Sequence, residues 1–189
     1  MRWEDLFADL ELQWEANEAA ELASELADRS RREAGYLRMI DRMRPVVGYP
    51  TRLRVLGGQH AGESLHGTLA ALGMDWLLLA EPGATEALVP MRALLAVENL
   101  SVISAAPGHE GPLGAKLDLR YVLRGLVRDR STCTLRFVDG TTLHGTPVRV
   151  GADFLEVAEH AVGEFARRGQ IRSGWTLPLN ALAYIRRIP

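Results

Sequence analysis

The chain has 189 residues, 47% of them apolar, and a formal charge of −2. That is enough for one domain or two small ones, and no apolar run approaches the roughly 20 residues that cross a membrane. Cys133 stands alone, which excludes an internal disulfide and any multi-cysteine metal site. The opening Met1-Arg-Trp-Glu-Asp-Leu6 places acids where a secretory signal needs an apolar core, so a cytoplasmic location is expected.

The balanced charge hides a gradient. Residues 1–35 hold 4 Arg and 10 acids, whereas residues 113–189 hold 12 basic and 7 acidic residues. An acidic arm and a mildly basic second half can attract each other or separate partners.

In chain order, residues 2–34 read as a helix, free of Pro and rich in Ala, Leu and Glu, with Glu4 and Asp5 at its positive end. Trp3, Phe7, Leu10 and Trp14 form a narrow apolar seam, which predicts burial against a second copy or against the rest of the chain. Gly35 marks an expected bend. A short helix follows from Tyr36 to Val47, closed by Pro45 and Gly48. Its counterpart later in the chain is Leu117 to Arg128.

The main body is duplicated. Ser64–Glu81 and Thr142–Glu159 share Leu-His-Gly-Thr, then Gly, Asp, an aromatic and Ala-Glu at a constant offset of 78 residues. Pro90–Val97 and Pro178–Ile185 correspond at an offset of 88, so the second copy carries ten extra residues between its blocks. Alternation predicts five strands in each copy. They are 52–56, 64–72, 76–81, 86–90 and 95–102 in the first, and 132–138, 142–150, 154–160, 173–178 and 184–188 in the second. Asp139-Gly140 is a hairpin turn, and Gly67 and Gly145 are mid-strand bends. Residues 178–182 suit one 3₁₀ turn. The expected organisation is an acidic helical arm (1–35), a first unit (36–103), a Pro/Gly linker (104–112) and a second unit (113–189).

Short helix, then Leu135–Thr146, Gly151–Leu155 and Pro178–Ile185: these segments resemble the Sm-like family of small SH3-like barrels. The resemblance covers both repeats. It implies an α+β, mainly β fold of two tandem five-stranded barrels, each led by a short helix. The whole chain also resembles an actinobacterial family opening on Trp-Glu-x-Leu-Phe-x-Asp-Leu-Glu, present here as Trp3 to Glu11. RNA-binding Sm proteins carry an Asn shortly after the Asp, and an Arg-Gly pair entering the last strands. Here Phe154 follows Asp153, and Pro178-Leu179 stands in place of Arg-Gly.

Each candidate for chemistry has a structural counterpart. His66 and His144 lack ligand-spaced neighbours, which points to packed or hydrogen-bonded rings on a face shared by His144, Thr146, Val148 and Val150. Asp75 and Asp153 read as turn residues bonding nearby backbone N–H groups. Trp76 and Phe154 read as caps on a barrel end, with base stacking as the functional option. Arg167, Arg168, Arg172, Arg186 and Arg187 form the best basic patch, with Phe154 as the stacking ring. No nucleophile elbow, phosphate-cradling loop or dinucleotide fingerprint is present. The expectation is a non-enzymatic scaffold without cofactor or metal. It would act through barrel edges and the Trp3–Trp14 helix on a protein partner or on itself, with RNA binding by the second repeat as the alternative.

Overall fold

The computed structural model describes residues 3–58, 62–98, 100, 117–161 and 171–187, and for residues 3–12 and 33 the backbone alone. The chain divides into two units, Met1–Arg38 and Met39–Pro189. The expected linker at 104–112 lies outside the described residues.

The first unit is helix α1, Trp3–Tyr36. It runs through Gly35 without a break, because one Gly costs only about 1 kcal/mol inside a helix this long. Trp14, Leu22 and Leu26 are 74%, 56% and 64% exposed. The side chains of Trp3, Phe7 and Leu10 lie outside the described set.

The second unit begins with α2, Met39–Met43, which tightens into a 3₁₀ turn at Arg44–Val46. Pro45 lacks the N–H that an α-helical ladder needs, so the expected helix over 36–47 is shorter than its sequence span. The strands are β1 (Pro50–Val55), β2 (Glu63–Leu72), β3 (Trp76–Glu81), β4 (Thr85–Pro90) and β5 (Leu94–Val97), then α3 (Leu119–Arg128). The second set is β6 (Cys133–Phe137), β7 (Thr142–Val150), β8 (Phe154–Glu159), β9 (Ser173–Pro178) and β10 (Leu182–Arg187). Both β5 and β10 start earlier than expected, because the 3₁₀ turns before them span only Met91–Ala93 and Leu179–Ala181.

Two separate barrels do not form. All ten strands make one open sheet in the order β5-β1-β2-β3-β4-β10-β6-β7-β8-β9. The fourth strand of the first repeat pairs with the last strand of the second, through Leu88↔Ile185, Ala87↔Arg186 and Glu86↔Arg187. Antiparallel pairing satisfies those backbone groups as well as barrel closure would, and it joins the halves along a seam.

The repeat is preserved inside the sheet. Register slips by one residue after Leu69 on β2 and after Pro147 on β7, at equivalent places. This bulge breaks the alternation expected from His144 to Val150: Thr146 and Pro147 are buried, while Val148 is turned out to 54% exposure. Gly67 and Gly145 are required by close approach. A Cβ there would lie 2.2 Å from the Ala80 carbonyl oxygen and 2.4 Å from that of Ala158. At the Asp139-Gly140 turn, Gly140 has φ +89° and Asp139 Oδ1 accepts from the Thr141 N–H at 2.9 Å.

Each core borrows from the other half. The first includes Met43, Leu53, Leu69, Leu77 and Val89 together with Ala183 and Tyr184. The second includes Leu119, Leu123, Leu135 and Leu155 together with Trp76 and Leu88. At roughly 1.5–3 kcal/mol for each large apolar side chain, these loans stabilise the seam itself.

Candidate functional site

The seam is polar at one side of the sheet. The Arg186 guanidinium donates to both Glu81 oxygens at 2.7 and 2.9 Å and lies 4.8 Å from the centre of the Tyr184 ring. The Tyr184 hydroxyl donates to Glu63 at 2.8 Å, and Arg136 donates to the same carboxylate at 3.1 Å. Burial first, and the Glu63 bond second, push the Tyr184 phenol up to about 12. The bonds to Glu81 raise Arg186 above its usual value.

Loop residues tie the halves on the other side. Asp75 does not bond its own turn: Oδ1 accepts the Leu119 N–H of α3 at 2.8 Å, beside the Asp118 cap on Tyr121 at 2.8 Å. The amides at a helix start have no partner in the helix, so a carboxylate from 44 residues away satisfies one of them. Trp76 is 7% exposed and donates its indole N–H to the Leu117 carbonyl at 2.7 Å. The Arg92 guanidinium donates to the Leu179 carbonyl. Burial lowers Arg92 from its usual value, and Asp75 opposes that shift.

The two outer strands of the sheet, β5 and β9, have no second strand partner among the described residues. β9 is the repeat equivalent of β4, yet its chemistry differs. Where the seam has Leu78, Leu88 and Ala71, the second repeat has Glu156, Thr176 and Arg149, with Arg149 donating to Glu156 at 3.0 Å. Fully buried Ala87 is replaced by Trp175, 49% exposed, near the exposed Val148. The Trp175 indole N–H donates to Glu159 at 2.6 Å. The Ser173 hydroxyl first, and that indole second, hold the Glu159 carboxyl below its usual range.

The predicted nucleic-acid residues are dispersed. Arg186 is committed to Glu81, and Arg187 is exposed opposite Glu86. Arg172 is exposed, its N–H bonded to the Glu159 carbonyl at 2.9 Å. Phe154 is half-buried, with Arg149 5.7 Å above its ring. Arg167 and Arg168 lie outside the described residues. Asp153 is exposed, and its carbonyl accepts the Leu179 N–H at 2.7 Å, as Asp75 does for Met91 at 2.8 Å.

The repeated histidines are hydrogen-bonded. Arg52 Nε donates to His66 Nδ1 at 3.0 Å, and the Thr134 hydroxyl meets His144 Nδ1 at 3.0 Å. Sequence reasoning passed over His160, Trp175 and Arg92, and it set Val148 on the His144 face from which the bulge turns it out. His160 is 1% exposed, its Nδ1 3.0 Å from the Ala161 carbonyl and its Nε2 2.9 Å from the Thr146 hydroxyl. A carbonyl only accepts, so Nδ1 carries the proton and Nε2 takes the threonine's. The signal available in the sequence was the mismatch with Pro82 at the equivalent position.

No family model matches the chain, and no curated protein matches it either. Among the described residues, no helix is long and apolar enough to cross a membrane, and no three His, Cys, Asp or Glu side chains are grouped to hold a metal ion.

Proposed function

We infer that this chain is a non-catalytic, cytoplasmic binding and scaffolding protein. Its two Sm-like repeats are fused through a shared seam, and it acts through the β9 edge and helix α1. The observation that carries the reading is Trp175, half-exposed on an outer strand and beside the exposed Val148. An outer strand offers backbone N–H and C=O groups to an extended segment of another protein, and the indole and valine add apolar contact.

Divergence from the seam speaks against a second copy stacking there head to tail. Trp175 would stand where Ala87 fits, and Glu159 would face Glu98 where Glu81 faces Arg186. The edge partner is therefore a different protein. Self-association belongs to α1, whose exposed Trp14, Leu22 and Leu26 repeat at multiples of four residues.

The test is affinity capture from source-cell cytosol with and without nuclease, using wild type and Trp175→Lys. Nuclease-resistant capture that the substitution abolishes, at unchanged melting temperature, is expected. Capture released by nuclease would replace this reading with RNA binding. For α1, replacing Trp14, Leu22 and Leu26 together by Ala is expected to lower the sedimenting mass.

A further inference from the structure

The two halves part company at one pair of equivalent positions. His160 follows Glu159 in the second repeat, and Pro82 follows Glu81 in the first. The threonines they meet are set alike: Thr146 pairs with Ala158 and Thr68 with Ala80. In the second repeat the His160 ring fills the space beside the Thr146 hydroxyl. Pro82 has no hydrogen-bonding side-chain atom, and beside Thr68 a depression of about 710 Å³ opens, walled by Arg52, His66, Glu81, Pro82 and Glu98.

We propose that this depression binds a neutral, planar nitrogen heterocycle of nucleoside size, seated against Thr68 as the His160 ring sits against Thr146. The Thr68 side chain lines the depression, and its hydroxyl donates to a ring nitrogen. Because Arg52 Nε–H occupies His66 Nδ1, the neutral imidazole keeps its proton on Nε2 and presents a second donor. Pro50 and Pro82 supply flat apolar wall. The size lies within the roughly 300–1,000 Å³ of small-molecule sites, larger than a bare five-membered ring needs.

The charge pattern selects a neutral ligand. Arg52 is paired with Glu98 at 3.1 Å and Glu81 with Arg186 at 2.7 Å. Both carboxylates on the wall are matched within the protein, leaving no cation for a phosphate. A 5′-phosphate would meet Glu81 or Glu98. The site therefore reads a base with its sugar, free or at the unphosphorylated end of a chain. This inference is independent of the β9 edge.

The experiment is a heteronuclear NMR titration of the full chain with imidazole, with each of the four ribonucleosides, and with their 5′-monophosphates. Expected is a saturable shift of the His66 ring and Thr68 amide signals by at least one nucleoside, with its monophosphate at least about tenfold weaker. Pro82→His places in the first repeat the residue that folds at this position in the second, and should weaken binding at least about tenfold by filling the depression. Thr68→Val should weaken it similarly without filling anything, which keeps the test sound should the histidine variant misfold. Conversely, His160→Ala should open a matching space in the second repeat, where imidazole restores part of the lost melting temperature. The proposal fails if neither imidazole nor any nucleoside gives a saturable shift up to about 10 mM. It fails equally if both variants bind as wild type, or if monophosphates bind as well as nucleosides.

Discussion

Glu81 and Arg186 are 105 residues apart in sequence and meet across the seam in a two-pronged ion pair, with N–O distances of 2.7 and 2.9 Å. Removing the carboxylate leaves the partly buried Arg186 guanidinium without the acceptor of two of its hydrogen bonds. Glu81→Ala should cost about 1.5–3 kcal/mol in urea unfolding, the range for hydrogen bonds to charged groups. Glu159→Ala, at the equivalent half-buried position where the carboxylate meets Ser173 and Trp175 in place of a guanidinium, should change stability less.

Asp75 and Asp153 are equivalent in the repeat and unequal in role. Asp75 satisfies an amide at the start of α3, and its replacement by Ala should cost about 0.5–2 kcal/mol, as loss of a helix cap does. The Leu119 amide should then lose hydrogen-exchange protection. Asp153→Ala should leave both readouts near wild type; an equal loss at the two sites would contradict the assignment.

Gly67 and Gly145 sit against neighbouring backbone, whereas a Cβ on Gly174 would meet nothing within 4 Å. Ala at either of the first two should destabilise by about 1–3 kcal/mol through overpacking, while Gly174→Ala should be tolerated. Parallel denaturation curves for the three variants check this.

Tyr184 titrates higher in the folded chain, about 12 against 10.0. The folded state therefore holds its proton more tightly than the unfolded one. Its contribution is complete below pH 10.0 and declines as pH rises toward about 12. Wild type should lose stability through that window, and Tyr184→Phe should flatten this part of the profile. A variant profile as steep as wild type would show that other groups govern alkaline unfolding.

Local elements were legible because each has a local cause. Asp139-Gly140 can scarcely be anything but a turn, Gly67 and Gly145 interrupt apolar strands, and the 78-residue offset exposes the duplication. The seam was not legible, since the short apolar run of Thr85–Pro90 reads the same whether its neighbour is β5 or β10. The role of Asp75 was hidden for the same reason, its acceptor geometry being set by a helix 44 residues later. At the candidate edge, Trp175 becomes conspicuous only once β9 is known to be outermost. Comparison of the repeats favours residues that match, and so drew attention to His66 and His144 rather than to His160, which lacks a twin.

The exchange of core residues between halves has a consequence for how the molecule can be cut. Tyr184 and Ala183 complete the first core, while Trp76 and Leu88 complete the second. Neither half is whole without the other, so a fragment ending near residue 100 should be molten alone, as should one beginning near residue 117. Mixed together, the two pieces should find each other and regain native spectra, making the chain a natural two-piece reporter of proximity.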